Sequence, residues 1–67
     1  MDVNFYESDL TNADLENTRM SDANLSRASL IGANLTRVDL MGAKLAGADL
    51  IGSTLTGATM PDGSKHP

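Results

Sequence analysis

The sequence predicts an all-β solenoid, a chain wound into stacked coils with short extended sides. Three observations carry this reading. A leucine or a close substitute recurs at every fifth position: Phe5, Leu10, Leu15, Met20, Leu25, Leu30, Leu35, Leu40, Leu45, Leu50, Leu55 and Met60. Two residues before each stands a generally smaller one: Val3, Ser8, Ala13, Thr18, Ala23, Ala28, Ala33, Val38, Ala43, Ala48, Ser53 and Ala58. The position that closes each unit is often glycine or asparagine, at Asn12, Asn17, Gly32, Gly42, Gly47, Gly52 and Gly57.

The sides come first. In an α-helix, steps of five residues scatter the leucines around the cylinder. In a straight strand an odd spacing alternates faces and sends half of them to water. The pair two residues apart, by contrast, obeys the strand rule and points to one side. All pairs point inward together only if the chain bends once per five residues. Successive bends close a coil, and stacked coils bury a core that no single unit could bury alone.

The corners follow from turn chemistry. The last position of each unit is the third residue of a β-turn, where a type II turn requires positive φ. Glycine supplies it freely and asparagine tolerates it. Type II corners are therefore expected at Gly32, Gly42, Gly47, Gly52 and Gly57 and at Asn12 and Asn17. Arg27 and Arg37, in the same position, are expected in a different turn with negative φ.

The motif Ala-Asp/Asn-Leu-x-x, as in Ala13-Asp14-Leu15-Glu16-Asn17, Ala33-Asn34-Leu35-Thr36-Arg37 and Ala48-Asp49-Leu50-Ile51-Gly52, resembles the pentapeptide-repeat family. The resemblance covers roughly residues 3–60. It implies a right-handed quadrilateral β-helix with four pentapeptides per coil and about three coils. Right-handedness also follows from the crossover rule for parallel strands. The expected organisation is a β-helix over residues 1–60 and a C-terminal cap or tail over 61–67, where Pro61 cannot donate to a ladder and Asp62-Gly63 reads as a tight turn.

With four units per coil, residues twenty apart stack. The core columns become Phe5/Leu25/Leu45, Leu10/Leu30/Leu50, Leu15/Leu35/Leu55 and Met20/Leu40/Met60, with Phe5 plugging the open end. Glu7 lies under Arg27 and Arg19 under Asp39, pairs that favour correct register. Ile31 stacks with Ile51 at solvent positions, and Met41 stands outward on the fourth side. Together these three form the candidate partner patch.

Sixty-seven residues make one small domain without a cysteine to staple it. Marginal stability as a monomer, or help from a partner or homodimer, is expected. No signal peptide or membrane-length apolar run is visible, so the expected location is the cytoplasm. Net charge is −4, with one Tyr and one Phe, which disfavours nucleic-acid binding.

The inventory of reactive groups is thin. Ser29 and Ser53 have no base in reach of the pattern, His66 sits in the tail, and Asp14 with Glu16 has no pocket to raise a pKa. No catalytic residue, cofactor, metal or small-molecule substrate is expected. The outward threonines Thr54 and Thr56 follow Asp14/Glu16 and Asn34/Thr36 on the same side, too irregular for an ice-binding array.

The function expected is a non-enzymatic structural module that presents flat faces to a protein. One alternative, drawn from the resemblance, is a DNA mimic that inhibits a type II topoisomerase, using Asp9, Asp14, Asp22, Asp39 and Asp49. Three coils span only about 14 Å, or roughly four base pairs, and Arg19, Arg27, Arg37 and Lys44 interrupt the acidic columns. The other alternative is a domain of a longer protein.

Overall fold

The computed structural model describes residues 3–67, so the first two residues of the expected 1–60 region lie outside it. Parallel bridges join residues twenty apart and wind the chain into stacked coils. Asn4, Asn24 and Lys44 form one ladder, and Asp9, Ser29 and Asp49 a second. Asp14, Asn34 and Thr54 form the third, and Arg19, Asp39 and Thr59 the fourth. Each side contributes one bridged residue rather than a continuous strand, because a corner interrupts pairing after every unit.

Each corner is closed by a bond from the small residue to the preceding core carbonyl, as in Ser8 N to Phe5 O and Ala33 N to Leu30 O, both 3.0 Å. The third turn residue has positive φ at every repeat corner, from 56° at Arg37 to 73° at Gly42. This corrects the expectation for the arginines: Arg27 has φ 61° and Arg37 φ 56°. The cause is the ladder. Arg27 N donates to Ala46 O and Arg37 N to Thr56 O, in the same register as the glycine corners. A turn of another type would break those bonds and turn the next side out of its column. The repeat therefore overrides a left-handed penalty of about 1–2 kcal/mol per residue.

The recurring Asp/Asn of the motif has a local role. Its side-chain oxygen accepts the main-chain N–H two residues on, at Asn4, Asp9, Asp14, Asn24, Asn34, Asp39 and Asp49. At these seven corners the Asx bond satisfies the N–H that opens the turn, which faces away from the neighbouring coil. Two of the hydroxyls that replace alanine at the small inward position bond back to the core carbonyl three residues earlier: Thr18 to Leu15 O at 2.6 Å and Ser53 to Leu50 O at 2.8 Å.

The core is one layer deep. Met20, Leu25, Leu30, Leu35 and Leu40 are fully buried, together with Ala23, Ala28, Ala33 and Val38. Phe5, Leu10, Leu15, Leu45, Leu50, Leu55 and Met60 pack against that layer and stay half-buried, because the first and last coils each have a coil on one side only.

The twelfth corner is different. Gly63 N still donates to Met60 O at 2.8 Å, but the positive φ has moved from the third turn residue, Asp62, to Gly63 at 87°. That exit reverses the chain. Lys65 bridges Thr59 antiparallel, Met60 N donates to Ser64 O, and Gly57 N donates to His66 O. Residues 64–66 thus take the place of a further coil along the fourth side alone. Ala58 beneath them is fully buried, whereas Ala48 and Ser53 in the same coil are not.

The Asp62 carboxylate fixes this reversal by accepting from Ser64 Oγ at 2.7 Å and Ser64 N at 2.9 Å. The hydroxyl bond first, then the N–H bond, holds its carboxyl below the usual carboxylate range, against a smaller opposing effect of burial. Because the folded value is the depressed one, the hairpin gains this support above the ordinary carboxylate range and loses it as pH falls through the depressed value. In an NMR titration, Ser64→Ala is expected to move the Asp62 midpoint upward; an unmoved midpoint would show that the hydroxyl bond is not its cause.

Candidate functional site

The outward positions of the second side hold the most distinctive surface. Its column runs Thr11, Ile31, Ile51, and the polar and apolar ends differ in how they are held. Thr11 Oγ1 donates to Asp9 Oδ1 at 2.6 Å and lies 2.9 Å from Ser29 Oγ. The Thr11 hydroxyl, then its N–H, keeps the Asp9 carboxyl below the usual range. Above this polar knot the column turns apolar. Ile31 is 40 % exposed and Ile51 is 72 % exposed.

The neighbouring corner leaves Ile51 accessible. A Cβ at Gly52 would meet only the Gly32 main chain, at 3.8–3.9 Å. The corner beside Ile51 is bare backbone, whereas at the corner beside Ile31 the Asn12 side chain folds over Gly32 from the coil below. The main chain underneath is fixed by Gly32 N donating to Ile51 O at 2.9 Å and by Ile51 N donating to Asp49 Oδ1 at 3.1 Å.

Met41 does not join this strip. It is 48 % exposed on the fourth side, and a Cβ at Gly63 would sit 3.3 Å from its Sδ and Cε. The methionine lies along the reversing turn. The structure therefore brings Ile31 and Ile51 into one column and sets Met41 apart against the C-terminal hairpin.

Two arginine clusters lie on the surface, one around the Glu7/Arg27 pair expected from stacking and one that stacking by twenty does not give. Arg27 pairs with Glu7 at 3.6 Å, donates to Tyr6 Oη at 3.2 Å, and places its guanidinium carbon 6.0 Å from the Tyr6 ring centre. Arg37 pairs with Glu16 at 2.6 Å and donates through Nε to Asn17 Oδ1 at 2.8 Å, while Asn34 Nδ2 donates to Glu16 Oε1 at 3.3 Å. The tighter pair is offset by twenty-one residues, a diagonal that stacking by twenty overlooks. Arg19 shares a ladder with Asp39, yet the ion pairs among the described residues are those of Arg27 and Arg37. Both are exposed, and such pairs contribute about 0–1 kcal/mol.

No pocket and no cluster of metal-ligating side chains occurs among the described residues, and no helix there is long and apolar enough to cross a membrane.

A family profile described as Pentapeptide repeats, in eight copies, matches residues 1–37 and 18–57. Among solved structures the chain is similar to HetL, a pentapeptide repeat protein involved in heterocyst differentiation regulation from the cyanobacterium Nostoc sp. strain PCC 7120. The identity is 35 % and the TM-score 0.93, over 98 % of this chain and 32 % of HetL. The chain thus spans about a third of the length of that protein. No curated protein matches.

Proposed function

Starting from the premise that this chain belongs to the pentapeptide-repeat family, we propose that it is a non-enzymatic module that binds a protein through a flat face of a right-handed quadrilateral β-helix. Three coils over residues 1–60 form the block, and residues 61–67 cap it. The twenty-residue ladders support the four-sided reading, and the crossover rule with the likeness to HetL supports the hand. HetL is described as involved in regulation, which suits a protein that acts by contact.

The observation that carries the proposal is the Ile31/Ile51 strip, with the bare Gly52 corner beside its more exposed residue. Rigid repeat surfaces recognise partners with side chains held in fixed register. An exposed apolar column that borders bare backbone at Gly52 lets a flat partner surface approach the main chain there. Met41 is a separate, weaker contact point, since it already lies along the hairpin.

The test is affinity capture from native lysate with the parent chain and with Ile51→Lys, a change at an exposed site that leaves the coil intact. Partners captured by the parent and absent from the variant support the strip. An identical set with both would remove it. The second reading, inhibition of a type II topoisomerase by an acidic surface, predicts instead that a supercoiling assay responds to the protein and is indifferent to Ile51→Lys. The carboxylates of Asp9, Asp14, Asp39 and Asp49 already accept main-chain N–H groups, which weighs against a freely presented acidic array.

A further inference from the structure

The side chain of Met41 lies against the turn that reverses the chain, and we infer that its thioether is an oxidation site through which a hydroperoxide releases the C-terminal hairpin. The chain has no cysteine, so its methionines are the side chains most open to such an oxidant. They differ in access. Met20 belongs to the sealed layer and is 2 % exposed, and Met60 is half-buried against that layer. Met41 is 48 % exposed.

The contact at risk is the one with Gly63. A Cβ there would meet Met41 Sδ and Cε at 3.3 Å, so the thioether fills the space outside the turn. The main chain of Met41 is pinned, with its N–H donating to Asp39 Oδ1 at 3.0 Å and its carbonyl accepting from Asp22 N at 2.9 Å. An altered side chain must therefore leave the turn, or the turn must move.

The chemistry is a simple oxygen transfer. The sulfur lone pair attacks one oxygen of the hydroperoxide and the O–O bond breaks. The other oxygen takes the proton and leaves as water or an alcohol, so sulfur is oxidised and the peroxide reduced. The sulfoxide is polar and chiral where the thioether was apolar and flexible. An oxygen on the turn side of sulfur has no room beside Gly63, and one on the solvent side brings water into the contact.

The hairpin depends on few ties to the block. Gly57 N donates to His66 O, Met60 N to Ser64 O and His66 N to Ala58 O. Asp62 and Ser64 bond to each other, and His66 Nδ1 lies 2.9 Å from Pro67 O, so these side chains hold the hairpin's own shape rather than its seat. Once released, the hairpin uncovers Ala58, which is fully buried beneath it, and frees the main-chain donors of Gly57 and Met60. The fourth side then has an open edge over an apolar layer, so the oxidised protein presents a surface that the reduced one hides.

The test treats the whole chain with hydrogen peroxide and follows it by peptide mass mapping and by amide hydrogen exchange in NMR. Oxygen is expected on Met41 before Met20 or Met60. Exchange at the Met60 and His66 N–H groups should quicken several-fold, while Leu30 and Leu35 N–H in the middle coil stay protected. Methionine sulfoxide reductases of both epimer specificities should restore the hairpin. Met41→Leu, a swap of similar volume, should keep its hairpin protected under the same treatment. Equal oxidation of Met60, full protection after Met41 is oxidised, or the same loss in Met41→Leu overturns the inference. The reductase step reads the unmutated chain, so the test stands even if the leucine variant folds poorly. None of these readouts involves the isoleucine strip.

Discussion

Leu35→Ala is expected to lower unfolding free energy by about 2–5 kcal/mol, the range for emptying a buried leucine site. Leu35 is fully buried between Leu15 below and Leu55 above, and both neighbours are only half-buried. A domain of this size has a total stability on the order of 3–10 kcal/mol, so the change removes much or all of it. Leu15→Ala and Leu55→Ala remove the same atoms from sites already open on one side. They should lose less than half as much, because less surface returns to water and the site can collapse. Urea denaturation followed by circular dichroism measures the three variants. Equal losses along the column would mean that the end coils are as enclosed as the middle one, contrary to the single-layer core.

Gly42→Ala is the second large effect, and its origin is the corner. Gly42 has φ 73°, where an alanine is penalised by about 1–2 kcal/mol. A Cβ there would also collide with Asp22 Oδ1, whose side chain folds over the glycine from the coil below. Gly52→Ala meets the same φ penalty, at 72°, but its Cβ finds only Gly32 backbone at ordinary contact distance. Asp22 is exposed and its carboxylate can turn aside, so the loss at Gly42 should exceed that at Gly52 only by the small cost of moving that side chain. In a Gly42→Ala/Asp22→Ala pair the excess should vanish, leaving a coupling energy in the double-mutant cycle. Identical losses at the two glycines would leave φ as the whole cause and remove the draped carboxylate from the account.

The sequence displayed the coil but not every reason for it. Spacing alone placed the bend, since no straight element points every Leu and Ala inward at a period of five. The corner at Arg27 and Arg37 was misread because local preference was applied to single residues. In the folded chain the Arg27 and Arg37 N–H groups are bound by Ala46 O and Thr56 O, and a repeated hydrogen bond outweighs one unfavourable φ. The Asx bond of the motif went unread: Asp and Asn favour such turns, but the N–H they serve appears only once the ladder is drawn. Of the candidate site, exposure of Ile31 and Ile51 followed from phase. The contact of Met41 with the hairpin did not, because it depends on a chain reversal at Gly63 rather than at Asp62. The Glu16–Arg37 pair was missed for a geometric reason: long side chains reach diagonally, one residue off the column.

Because each side is a single bridged residue between two corners, the fold behaves as a frame-reading device. Deleting one residue from a side would throw every later leucine out of phase. Deleting five would keep all later corners but rotate each downstream face by a quarter turn, moving Ile51 off the wall it shares with Ile31. Only a change of twenty restores both phase and facing, so length variation in such a chain is expected to come in whole storeys.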